Sequence, residues 1–104
     1  MQYLVVGQHP PNLCPSANES IRRLAAEGGT ERPALAEKLG VKITATYVPM
    51  TNHMVFVAVE ADSVEAVREF TFQGRIGQWN TVEIYAVSTL EQALERASEL
   101  PAIY

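Results

Sequence analysis

The chain has 104 residues, 47% of them apolar and 19% charged, with a net charge of −4. That composition describes one globular domain, residues 1–104, large enough to bury a single core without disulfides. Eight basic residues, scattered and outnumbered by twelve acidic ones, argue against a nucleic-acid partner, which needs clustered Lys and Arg to face phosphates.

The single cysteine, Cys14, has no internal partner, so a secreted disulfide scaffold is excluded. The opening MQYLVVGQH has no basic segment and only a short apolar run. It predicts neither a signal peptide nor a membrane span, and the cytoplasm is the expected location.

In chain order, YLVV at residues 3–6 is a short run of β-formers stopped by Gly7 and two prolines. It predicts a strand buried on both faces. Ser16 and Glu19 have capping-box spacing, and Ile21, Leu24 and Ala25 recur at helical period. Gly28-Gly29 predicts an interruption, with Thr30 as a new N-cap, Leu35, Ala36 and Leu39 as a second apolar stripe and Gly40 as the stop.

VKITATYV, residues 41–48, alternates; Val41, Ile43, Ala45 and Tyr47 are expected on one face. PMTNH is a turn, and MVFVAVE, residues 54–60, is the most apolar strand, so it should be central. Asp62 and Glu65 mark the start of a helix with Val64, Val67 and Phe70 inward. QGRIGQWN reads as a loop and TVEIYAV, residues 81–87, as a fourth strand. Ser88 and Glu91 suggest another capping box before a helix striped by Leu90, Ala93, Leu94 and Ala97, and the tail ends in apolar Ile103 and Tyr104.

The order β-α(α)-β-β-α-β-α contains two crossovers, each right-handed, around a hairpin. It predicts an α+β, ferredoxin-like βαββαβ sandwich: an antiparallel sheet in the order 4-1-3-2, helices on one face and an extra C-terminal helix. In that topology strand 1 ends beside the strand 2–3 turn and the start of strand 4. His9 and Cys14, Met50 and His53, and Trp79 and Asn80 should therefore gather at one end of the sheet. They include both histidines, the only cysteine and the only tryptophan.

The opening MQYLVVG, the segment LGVKI, the run HMVFVAVEADSVEAVREF and the segment WNTVEIYAV resemble stand-alone dimeric α/β-barrel proteins, a group that includes GYD-type, stress-responsive, monooxygenase and small nickel-binding barrels. The resemblance implies that the helix-free sheet face of one subunit packs on that of another, and it carries no catalytic residue over. The residues agree with a homodimer. Strands apolar on both faces need cover on the side without helices, and a second sheet is the simplest cover.

Cysteine thiolate and two imidazoles, with a Met50 or Met54 thioether as an optional addition, form a soft N/S set suited to copper or zinc; imidazoles alone would suit nickel. The spacing matches no standard zinc pattern, so this expectation rests on topology. Cys14, two residues ahead of Ser16, could also be a thiolate stabilised by a helix N-terminus, or a small buried hydrophobe. His9 and His53 could equally be hydrogen-bonded loop residues. Trp79 could line an apolar pocket with Phe56, Phe70 and Phe72, or simply pack, and Tyr47 and Tyr85 could orient a ligand. No carboxylate pair has a catalytic pattern, and no glycine loop cradles phosphate.

The expected function is a small binding protein that holds a metal ion or small molecule at His9, Cys14, His53 and Trp79. The alternatives are a monooxygenase-like enzyme acting on a hydrophobic substrate, and an accessory dimer without chemistry of its own.

Overall fold

The computed structural model describes residues 1–102. Ile103 and Tyr104, the expected apolar tail, lie outside them. Four strands, β1 (Gln2–Gln8), β2 (Lys42–Tyr47), β3 (Met54–Glu60) and β4 (Thr81–Val87), form one sheet in the order β2-β3-β1-β4, and every neighbouring pair is antiparallel. This is the predicted ferredoxin-like arrangement. Helices α1 (Glu19–Leu39) and α2 (Val64–Gln73) cover one face, and the short α3 (Ile76–Trp79) and C-terminal α4 (Leu90–Ala97) complete the chain.

Alternation along β1 and β3 sorts their side chains. Val5, Val57 and Val59 face the helices and meet Val67 and Phe70 in a closed core, where Val5, Val59, Val67 and Phe70 are fully buried. Leu4, Val6, Phe56 and Ala58 point to the opposite face, where they are only half-buried. Neither α1 nor α2 covers that side.

The structure corrects several expectations. Helix α1 runs unbroken through Gly28-Gly29 and Pro33. Gly28 is present because α1 crosses the end of α2 there. A Cβ would stand 3.2 Å from the Gly74 carbonyl oxygen and 2.8 Å from Arg32 Nη2. Arg32 Nε donates to the same carbonyl (3.2 Å), so packing offsets two glycines that together cost the helix about 2 kcal/mol. Thr30 bonds back to the Ala26 carbonyl instead of capping a new helix. Gly40 ends α1 as expected, with φ 71°.

The caps lie one or two residues beyond the predicted ones. Asn18, Ser63 and Thr89 accept from the backbone N–H groups of Ile21, Ala66 and Gln92, and only Thr89 with Gln92 forms a complete capping box. In β2 a bulge at Thr44 shifts the register: Ile43 opposes Val59, but Ala45 opposes Ala58 and Tyr47 opposes Phe56. Val41 and Ile43 therefore face the helices, whereas Ala45 and Tyr47 join the open face, leaving Tyr47 67% exposed. Part of the expected QGRIGQWN loop is α3, reached through Arg75 at φ 66°. Helix α4 buries none of its stripe, and Leu90 and Leu94 stay exposed. No helix among the described residues is long and apolar enough to cross a membrane.

Candidate functional site

The sheet end where β1 stops is built by backbone pairing. Gln8 opposes Met54 on one side and Thr81 on the other. One residue later the His9 N–H donates to the His53 carbonyl (3.1 Å), which fixes the two histidines beside each other. Their rings stand 5.8 Å apart.

His9 is 9% exposed and held from below by Asn80, a residue 71 positions away in sequence. Asn80 Nδ2 donates to the Ile76 carbonyl (3.0 Å), so its Oδ1 faces His9 Nδ1 at 2.8 Å. A carboxamide oxygen only accepts, which assigns the proton to Nδ1 and the lone pair to Nε2. Nε2 is buried and has no partner. Gly7 makes this possible: a Cβ there would meet Asn80 Oδ1 at 3.0 Å and Val55 Cγ1 at 2.8 Å.

Cys14 arrives through a 3₁₀ turn, Pro11–Leu13, that follows the extended Pro10. Its carbonyl accepts from Ala17 and Asn18 N–H (2.9 Å each), which folds the chain toward the true N-cap of α1. The thiol is half-exposed, not packed beneath the helix. Since α1 begins at Glu19, the helix end is not what stabilises its thiolate. Ser16 does so: its hydroxyl donates to Cys14 Sγ at 3.0 Å. Hydrogen bonds from the Ser16 hydroxyl and backbone N–H are the main causes that push the thiol down from 9.0 to about 6, with the nearby His53 and His9 side chains adding to the effect.

His9, Cys14 and His53 each offer one ligand atom, and the three atoms lie within 4.8 Å of one another. Donors on one tetrahedral zinc stand about 3.4–3.8 Å apart, given its ordinary bond lengths. The set is thus open by about 1 Å at its widest, with the exposed His53 as the member freest to close it. The three residues border a cavity of about 400 Å³ with apolar walls from Val48, Pro49, Met54, Val55 and Trp79. Trp79 is buried, its ring 5.0 Å from that of His9, and its Nε1 is a second buried polar atom without a partner.

Of the two alternatives for Trp79, the pocket shared with Phe56, Phe70 and Phe72 does not form. Phe70 is in the core, Phe72 is 75% exposed and Phe56 lies on the open sheet face. Tyr85 is on that open face too, hydrogen-bonded to Glu83, and Tyr47 stands beside Phe56. Neither tyrosine lines the cavity. Asn80, expected at this end without a role, orients His9, and Ser16, expected as a helix cap, instead holds the thiol. A larger cavity, about 540 Å³, opens at the opposite end of the sheet, but Glu60, Asp62 and Gln92 line it and it contains no histidine or cysteine.

No curated protein matches the chain. Residues 1–101 match the family described as "Domain of unknown function (DUF3303)", and the chain, a ferredoxin-like member, belongs to that family.

Proposed function

We propose that the protein is a small binding protein that holds one transition-metal ion through His9, Cys14 and His53. One observation carries the reading: the buried, unpartnered His9 Nε2, whose lone pair Asn80 aims away from itself. Metal-binding histidines ordinarily have their second nitrogen engaged in this way. A Cys14 thiol pushed down to about 6 and a second imidazole supply the rest. This N/N/S set suits zinc or Cu(I) better than nickel, because thiolate is a soft ligand. A fourth position is left to solvent, to a small molecule in the cavity or to Met50, which lies on its rim.

A monooxygenase-like role has less support, because Val5, Val59, Val67 and Phe70 fill the space between sheet and helices. The free, half-exposed thiol suits a reducing compartment such as the cytoplasm. Two copies pair, on this reading, through the open sheet face, where Leu4, Val6, Phe56 and Ala58 lack cover.

The test is a competition titration of the reduced, untagged protein with zinc and with Cu(I) against a chromophoric chelator. One ion per chain, with affinity lost in Cys14→Ser and in His9→Ala, is expected. Identical titrations for wild type and both variants would end the reading.

A further inference from the structure

Freed of any metal, the same site has a second chemistry. We infer that Cys14, His9 and Asn80 form a nucleophile, its general base and the group that orients the base, and that the cavity accepts a small uncharged carbonyl electrophile, such as an activated ester or a thioester. The inference uses the geometry of the metal reading but does not need a metal to bind.

The roles follow from positions. Asn80 Oδ1 accepts a hydrogen bond from His9 Nδ1–H at 2.8 Å and its own amide is anchored on the Ile76 carbonyl, so the imidazole is held in one tautomer with Nε2 as the basic atom. A ring nitrogen of His9 lies within 4.8 Å of Cys14 Sγ. Such contacts are commonly looser before substrate binds. Ser16 Oγ donates to the sulfur at 3.0 Å. Among the described residues two buried side-chain polar atoms lack partners, and both belong to residues lining this cavity: the acceptor His9 Nε2 and the donor Trp79 Nε1–H. A carbonyl substrate supplies what each lacks. Its oxygen accepts from an indole N–H, and its leaving group takes a proton carried by the imidazole. A cavity of about 400 Å³ walled by Val48, Pro49, Met54 and Val55 fits a short apolar acyl group.

The reaction balances without a co-reactant other than water. With the Cys14 proton resting on His9 Nε2, the thiolate Sγ attacks the carbonyl carbon. The C–S bond forms, the ester C–O bond breaks, and the His9 proton leaves on the alcohol. Water then attacks the thioester and gives a proton to Nε2. The C–S bond breaks, the acid departs, and the proton returns to Sγ.

The experiment is rapid mixing of the full chain, in excess chelator, with p-nitrophenyl acetate. The inference expects a burst of one p-nitrophenolate per chain and an acetyl group located on Cys14 by mass spectrometry. Cys14→Ser should abolish the burst. Asn80→Ala should slow acylation about tenfold or more with little change in KM, which a mere folding defect would not do. Added zinc should suppress the burst if it binds, and this readout keeps the two readings apart: zinc binding without acylation overturns this inference alone, and acylation without zinc binding overturns the metal reading alone. Acetylation of Cys14 no faster than that of free cysteine, or unchanged in a folded His9→Ala variant, also overturns it.

Discussion

Replacing Gly7 by alanine should damage the site without touching any of its ligands. The added methyl would stand 2.8 Å from Val55 Cγ1 and 3.0 Å from both Cγ and Oδ1 of Asn80. Val55 can rotate. The Asn80 carboxamide cannot easily do so, because it is buried and bonded at both ends, to His9 and to Ile76. Overpacking of this kind costs about 1–3 kcal/mol, and in a domain of roughly 100 residues each kcal/mol lowers Tm by about 4–8 °C. Displacing Asn80 also frees the His9 ring, and losing such a supporting hydrogen bond weakens metal binding by about 10- to 100-fold. Thermal unfolding together with zinc competition reads both effects. The double variant with Asn80→Ala isolates the route: once the carboxamide is gone, Gly7→Ala should add little further loss of affinity. Wild-type zinc affinity in Gly7→Ala, or full additivity in the double variant, would refute the proposed chain from Gly7 through Asn80 to His9.

Three more outcomes are expected. The pH profile of Cys14 alkylation should have its midpoint near 6, because the Ser16 and histidine hydrogen bonds favour the thiolate, so the reactive form dominates above that pH and is lost below it; Ser16→Ala should move the midpoint up, and a wild-type midpoint at or above ~8.5, the free-thiol value, contradicts the reading. Light scattering at micromolar concentration should give twice 11.4 kDa, and Phe56→Lys on the open sheet face should yield the monomer; a wild-type monomer rules out the proposed pairing, which should bury over ~1,200 Å². Phe70→Ala, at a fully buried side chain, should cost about 3–5 kcal/mol in denaturant unfolding, and a loss under about 1 kcal/mol would show that the core had been misassigned.

The sheet order was legible because three short apolar runs and one alternating run leave few topologies once right-handed crossovers are required. The gathering of His9, Cys14, His53 and Trp79 followed from that order alone, since β1 ends where β2 turns into β3 and β4 begins. What stayed hidden depends on contacts distant in sequence. Gly28-Gly29 resembles a break until Gly74 is seen to need the room. The Thr44 bulge reverses the alternation on which the face of Tyr47 was judged. Ser, Thr, Asn and Asp cluster before each long helix, so several residues satisfy the same cap spacing, and only backbone geometry selects Asn18 over Ser16. Freed from capping, Ser16 became the partner of the thiol. Asn80 carries no local signal of its role, because its partner His9 is 71 positions away.

The central claim is that one metal ion is held by two imidazoles and one thiolate, and X-ray absorption on the zinc-loaded, untagged protein tests it most directly. The account predicts nitrogen scatterers at about 2.0–2.1 Å and a single sulfur shell at about 2.3 Å, with the sulfur shell gone in Cys14→Ser. A zinc environment of oxygen and nitrogen alone in the wild-type protein would contradict it.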